Sequence, residues 1–488
     1  MIPGQSLPGP IDVAREGLAW AVTQLPIEQL PSEPVFGAGA LGILSAAVGG
    51  RIAAGHAIHR VARKAAARDG YALPMSIRDH RRVGQLERHG NCLSIPQTGS
   101  ILALGATRSG KTEAGKHIVS QMRADENEPM IVYDHKEDYQ GFLKERGQEI
   151  IKLSSQDSTH TWNVFRELDH ESSGQDATEV ARAIFADTDR SEYFDVAGRQ
   201  VFAAVLTLLQ RSYDDAEETL SNRTLVDYFE RTGRQDVYND LQEHDDLTGA
   251  ASHLDPESSK QASGVYASVQ RQINDVFIGD FADEPENNAE SGFSVREYMH
   301  NPGGKALVLD YPYREGASTT PIFRLLIDLA AREALDDGNR GSYFVLDEVA
   351  QIPHLDRLGE LVNVGAGRSI QVFVTLQSVA QLRDNYGTEG ASAILSGLTS
   401  AILLRSGDPA STDFIRFAIG EEFNEYTGNV EKAQLGGQHR NRQKTVRREK
   451  RKAGEHVFSK AEISSWNAGE GVVVRPNSWA YGRVKLID

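Results

Sequence analysis

The sequence predicts an α/β protein, a mostly parallel sheet interrupted by an all-α insertion and preceded by an N-terminal segment with the character of a membrane-anchor helix. Three observations carry this. A strand, a glycine-bounded turn and a helix start follow one another at 100–112. Short apolar runs bounded by turn residues recur at 129–134, 149–153, 305–310, 341–348, 370–376 and 401–404, as the buried strands of a parallel sheet do. Between 162 and 293 the apolar spacing becomes helical, so this stretch is an insertion rather than more sheet.

Composition sets the limits. A chain of 488 residues holds two to four folding units. Its 40% hydrophobic content supports a real core, and 25% charged residues is ordinary for a soluble body. A net charge of −17 argues against a surface that grips DNA all over, but leaves room for a local basic channel. The single cysteine, Cys92, excludes an intramolecular disulfide framework and reads as a small apolar residue in a strand.

Residues 1–34 are proline-rich and lack a basic leader, with a short amphipathic helix expected between Val13 and Leu25. From Val35 to Gly50 there is no charge; Arg51 interrupts, and the apolar run continues to Ile58. As one helix, 35–58 would span roughly 36 Å, enough for a bilayer. Ala38, Gly42, Ala46, Gly50 and Ala54 recur four apart, a ridge suited to close helix packing in lipid. Glu28 and Glu33 precede it and Arg60, Arg63, Lys64 and Arg68 follow, so a span would leave the body in the cytoplasm. The competing reading is a Gly/Ala-rich surface or buried helix, favoured by Arg51 and the modest hydrophobicity. Residues 1–70 form this N-terminal region, 71–160 with 294–488 the α/β domain, and 161–293 the insertion.

At the strand–turn–helix unit, Gly105 and Gly110 followed by Lys111-Thr112 meet G-x-x-x-x-G-K-[ST] in full. Glycines let Gly105, Ala106, Thr107, Arg108, Ser109 and Gly110 curl so that backbone N–H groups point at the phosphates of a nucleotide such as ATP. The helix from Lys111 to about Met122 adds its positive end. Lys111 would reach the β/γ-phosphates and Thr112 would ligate Mg²⁺. A chance glycine turn before a helix is the bland alternative. The strand at 129–134 ends in Asp134-His135-Lys136-Glu137-Asp138, where open α/β sheets place ligands; Lys136 or Asp138 would touch nucleotide or a neighbouring subunit, unless the turn is merely solvated.

In the insertion, Phe194, Ala197, Val201, Val205, Leu208 and Leu209 share one helical stripe. The polar runs Glu167–Asp176 and Asp283–Ser291 read as exposed loops. After the strand at 305–310, Thr320 and Pro321 signal a helix start, with Ile322, Leu325, Leu326 and Leu329 as its buried face and Gly338 past its end.

The apolar strand from Gly341 ends in Asp347-Glu348. Paired with a complete phosphate loop, the first acid would hold Mg²⁺ through water and the second would polarise the attacking water. The strand Ile370–Leu376 ends in Gln377, placed to bond the γ-phosphate or that water. Arg368, just before this strand, would reach a neighbouring subunit's γ-phosphate; Arg405 is the rival for that role.

These residues resemble the coupling-protein ATPases of type IV secretion and conjugation, in the FtsK–HerA superfamily of P-loop ATPases. The matching pieces are GATRSGKT at 105–112, YDHKEDY at 133–139, WNVF at 162–165, EYFDVAGRQVFAAVL at 192–206, VLDEVAQIPHLDRLGEL at 345–361, VTLQSVAQLRDNYG at 374–387 and SKAEISSWNAGEGVVV at 459–474. The resemblance implies a membrane anchor, a RecA-like nucleotide domain with an all-α insertion, ATP and Mg²⁺ as cofactors, and a homohexamer around a channel. It further implies DNA, or DNA with a relaxase, passed to a secretion channel. Two departures stand out. Many relatives carry two anchoring helices where this chain has at most one, and some place the arginine two residues earlier, where this chain has Ala366. Arg440–Lys452 holds eight Lys/Arg and one acid, either a solvated loop or a DNA-phosphate contact at a channel mouth. A cytosolic HerA-like repair pump, a viral packaging motor and a nucleotide-dependent docking scaffold are the alternatives.

Overall fold

In the computed structural model the chain divides into two units, Met1–Ile58 and His59–Asp488. The structure describes Lys64 and residues 70–485, apart from 83–87, 90–91, 98, 170–172, 186–191, 215–219, 284–291, 312–315, 337–340, 353, 431–446 and 477. The expected helix at 13–25 and the span at 35–58 lie outside the described residues. Among the described residues, no helix is long and apolar enough to cross a membrane.

Seven parallel strands form the centre of the molecule. They are β4 (Ile101–Leu104), β5 (Met130–Asp134), β6 (Ile150–Leu153), β7 (Ala306–Asp310), β8 (Ser342–Leu346), β9 (Ile370–Leu376) and β10 (Ser400–Leu404). Their spatial order is β10-β4-β9-β8-β5-β7-β6. Each coincides with an apolar run, because both faces of the sheet are covered. β1 (Tyr71–Arg82), β2 (Arg88–His89), β3 (Cys92–Ile95), β13 (Glu470–Arg475) and β14 (Ser478–Val484) extend it beyond β10, in antiparallel order β13-β14-β1-β3-β2. Cys92 is buried in β3.

One face packs α1 (Lys111–Val119) and α2 (Gln140–Glu145), whose Ala114, Ile118, Val119 and Leu143 join Ile101, Ala103, Met130 and Val132. Helix α1 ends at Val119 with Ser120 as its C-cap, three residues short of the expected end near Met122. The other face carries the insertion, with α3 (Ser173–Ile184), α4 (Glu192–Asp214), α5 (Asn222–Arg231), α6 (Arg234–Gln242) and α7 (Ser259–Val276). In α4 the residues Ala197, Val201, Val205, Leu208 and Leu209 are buried, with Phe194 partly so.

The insertion closes at its base, where Trp162 bridges to Phe293. Here the expected exposed loop at 167–176 needs correction. Glu167 is fully buried and accepts from Trp162 Nε1 (2.9 Å), Ser294 Oγ (3.1 Å) and the backbone N–H of Val295 (2.7 Å) and Arg296 (3.1 Å). Four donors offset the desolvation that would otherwise expel a carboxylate. Asp176 is buried on α3, 3.0 Å from Arg332.

After α8 (Val295–His300) and β7 comes α9 (Gly316–Asp336), which begins four residues before the expected Thr320 cap and runs through Pro321. A proline near a helix start removes one backbone hydrogen bond there, and the buried face of Ile322, Leu325, Leu326 and Leu329 holds the helix on the sheet. α10 (Leu358–Val364) leads to β9, α11 (Val379–Gly397) links β9 to β10, α12 (Pro409–Ile419) follows β10, and α13 (Lys460–Ser465) precedes β13. The basic segment is partly strand: β12 (Arg447–His456) pairs antiparallel with β11 (Glu421–Val430) in a separate ribbon.

Candidate active site

The site lies at the carboxyl ends of β4, β9, β8 and β5, where the parallel strands release their loops. Gly105 enters the loop where a side chain cannot fit: an added Cβ would lie 2.5 Å from Ser109 Oγ and 2.9 Å from Leu404 Cβ. Gly110, at φ 100°, turns the chain into α1. Neighbouring strand ends hold the loop. Gly105 N–H donates to Leu376 O (3.1 Å), Ala106 N–H to Arg405 O (2.7 Å), and Ser109 O accepts from Gly469 N–H (2.8 Å). Thr107 and Arg108 are exposed, and Arg108 has a left-handed φ of 59°.

Lys111, the first residue of α1, is buried and donates from Nζ to Gly105 O at 2.6 Å. The same Nζ lies 3.3 Å from Glu348 Oε1. Burial depresses the Lys111 ammonium pKa, and the Glu348 charge opposes that shift. Thr112 Oγ1 donates to Asp138 Oδ2 at 3.2 Å.

Asp347 and Glu348 follow β8 and are both buried. Thr375, on the adjacent β9, fixes the pair: its hydroxyl donates to Asp347 Oδ1 (2.7 Å) and accepts from Glu348 N–H (2.8 Å). Burial, reinforced by the Glu348 charge and opposed by the Thr375 hydrogen bond, raises the Asp347 carboxyl to about 7. Asp347 Oδ2, Glu348 Oε2 and Ser109 Oγ are buried without a hydrogen-bond partner. Such orphaned oxygens need an account, and on a carboxylate beside a phosphate loop a divalent cation and its waters provide one. The residues therefore fit Mg²⁺, with Thr112 and Asp347 as the groups to hold it.

The turn after β5 supplies Lys136 and Asp138, for which the sequence offered contact with nucleotide or a neighbouring subunit. Lys136 Nζ lies 3.3 Å from Glu348 Oε1, the oxygen Lys111 also approaches. Asp138 accepts from Thr112. Asp134 shapes the turn, accepting from the N–H groups of Asp138 (2.9 Å), Tyr139 (2.9 Å) and Gln140 (2.8 Å).

Gln377 follows β9 directly, beside the carbonyl that anchors Gly105. Arg368 does not join the site within one chain. It ends the turn Gly365–Arg368 at the other end of β9, a strand of seven residues, or roughly 23 Å, away. Arg405 sits beside the loop, its carbonyl receiving Ala106 N–H.

A phosphate loop opening a helix, with two acids ending a nearby parallel strand, defines a P-loop nucleotide hydrolase. Within that class, the chain belongs to the type IV secretion-system coupling protein DNA-binding domain family, whose sequence model matches residues 94–487. This is the family the motifs resembled. No curated protein sequence matches the chain. Among solved structures, the unbound bacterial conjugative coupling protein TrwB superposes with a TM-score of 0.65 at 19% identity, over 86% of this chain and 96% of that one. TrwB in complex with ADP and Mg²⁺ gives 0.63 at 18%, with the same coverage. VirB4 of Thermoanaerobacter pseudethanolicus gives 0.50 at 12%, over 86% and 97%.

Proposed function

We propose that this chain is an ATP-driven DNA translocase of conjugation, a coupling protein that hydrolyses ATP to move DNA. The observation that carries the reading is the approach of Lys111 to Glu348, which places the phosphate-loop cation against the acid suited to act as base. ATP bound in the loop would meet N–H groups beyond Gly105 and Ala106, whose own N–H groups are held by Leu376 and Arg405, and the start of α1. Lys111 would exchange its contacts for the β/γ-phosphate oxygens, releasing Glu348. Glu348 would then take a proton from the attacking water, with Gln377 orienting it. Mg²⁺ would neutralise charge on the β- and γ-oxygens. That the solved TrwB structures include complexes with ADP and Mg²⁺ and with a non-hydrolysable ATP analogue supports this choice of nucleotide and metal.

Assembly and location belong to the same proposal. Arg368, remote from the site of its own chain, suits a trans role in a homohexamer, where it would reach the next subunit's γ-phosphate. The apolar stretch at 35–58 would anchor each subunit in the cell membrane with the motor in the cytoplasm, next to secretion-channel components and a relaxase. The test is ATP turnover by the full chain, with and without single- and double-stranded DNA, at several protein concentrations. Turnover should rise with DNA and with concentration. Turnover indifferent to DNA would favour a docking scaffold.

A further inference from the structure

We infer that Lys136 is the positioning residue for Glu348 once Lys111 has turned to the phosphates; the inference rests on the hydrolase reading above. Glu348 is 3% exposed and has a left-handed φ of 47°, a strained conformation for a side chain of this kind. Its Oε1 is approached at 3.3 Å by both Lys111 and Lys136. With nucleotide bound, the Lys111 ammonium would turn its donors, now on Gly105 O and Glu348, to phosphate oxygens, and its hold on Glu348 would weaken. A buried carboxylate left with no cation is costly and free to change rotamer. Lys136 is the cation that remains.

Its placement suits the task. The three N–H groups held by the Asp134 carboxylate fix the turn, so Lys136 is presented from a rigid element. Its side chain is 45% exposed, hence not a core prop. The same turn meets Thr112 through Asp138, so one short segment touches both the metal-binding hydroxyl and the base.

The test compares full-length wild type, Lys136→Gln and Lys136→Arg in ATP turnover, affinity for a fluorescent ADP analogue, and thermal melting. Lys136→Gln should lower kcat by about 10²-fold, the scale of a misplaced reacting group, while nucleotide affinity and melting temperature stay within error. Lys136→Arg should recover a substantial part of kcat. A Lys136→Gln enzyme turning over within twofold of an active wild type would overturn the inference and leave the hydrolase reading standing. So would a loss of kcat matched by equal losses of affinity or melting temperature, or a Lys136→Arg variant no better than Lys136→Gln. An inactive wild type would remove the hydrolase reading and this inference with it.

Discussion

Lys111 Nζ and Glu348 Oε1 lie 3.3 Å apart, although β9 separates their parent strands in the sheet. The loop lysine and the strand-end acid thus meet across one intervening strand. Replacing Lys111 by Ala removes the cation for the β/γ-phosphates and one of the two partners of the base. ATP turnover should fall by about 10²-fold or more, with weaker nucleotide binding in a fluorescence titration.

Thr375 ties the acidic pair together. Thr375→Val leaves Glu348 N–H and Asp347 Oδ1 without the partners they now have. The loss should be about 1–3 kcal/mol of stability in denaturant melts. A fall in kcat should accompany it, since the base loses its backbone anchor.

Gly115, inside α1, is expected to resist the usual gain from Gly→Ala in a helix. A Cβ there would sit 2.4 Å from Tyr139 Oη and 3.0 Å from Phe373 Cε1. Overpacking costs about 1–3 kcal/mol, more than the roughly 1 kcal/mol gained in helix propensity. Gly115→Ala should lower the melting temperature.

Much of the site was legible because its chemistry is written locally. Gly105, Gly110, Lys111 and Thr112 share one turn, and Asp347-Glu348 end one apolar run. Lys136 and Asp138 were legible as strand-end residues near a ligand, but not their contacts with Glu348 and Thr112; these, like Thr375, depend on strand neighbours, since β5 and β9 each pair with β8. Sequence order does not show that adjacency. Thr375 sits in an apolar run and reads as core; its one signal is a hydroxyl near the end of a buried strand. In the fold, the parallel strands announced themselves by continuous apolar runs, and Cys92 was read in a strand, whereas β1 and β14 mix polar and apolar residues and offered no comparable cue. Thr320-Pro321 imitates a helix start, and Glu167 imitates a loop residue because its four donors come from sequence positions up to 129 apart.

The pH dependence of stability has a stated sign. Burial raises the Asp328 carboxyl to about 7, partly countered by the N–H groups of Arg357 and Asp356. Burial likewise raises Asp347 to about 7 and Asp134 to about 6. A carboxyl raised in the folded state holds its proton there after the unfolded chain has lost it, so stability falls as pH climbs from about 4 to about 7. Asp328→Asn removes the titration but keeps only one of the two acceptor oxygens, since Arg357 N–H donates to Oδ1 and Asp356 N–H to Oδ2, so the variant is compared by the slope of its stability with pH and not by its absolute melting temperature. In melts of nucleotide-free protein between pH 5.5 and 8, it should show a smaller decline than wild type.

In the ribbon, the register sets Lys452 opposite Glu425 and Arg448 opposite Asn429. If the basic run binds DNA phosphate, replacing Arg447, Arg448, Lys450, Arg451 and Lys452 by Gln should weaken binding across sequences. The log–log salt slope on duplex DNA should flatten by about 0.9 for each phosphate that is no longer neutralised. Fluorescence anisotropy over a salt series reads both.

The most direct test of hydrolysis at this site is ATP turnover by Glu348→Gln beside wild type, with nucleotide affinity measured on both. An active wild type with a variant that binds nucleotide normally and turns over at least about 10²-fold more slowly is the predicted result. Full turnover by Glu348→Gln would contradict the role of Glu348 as base and, with it, the account of the site.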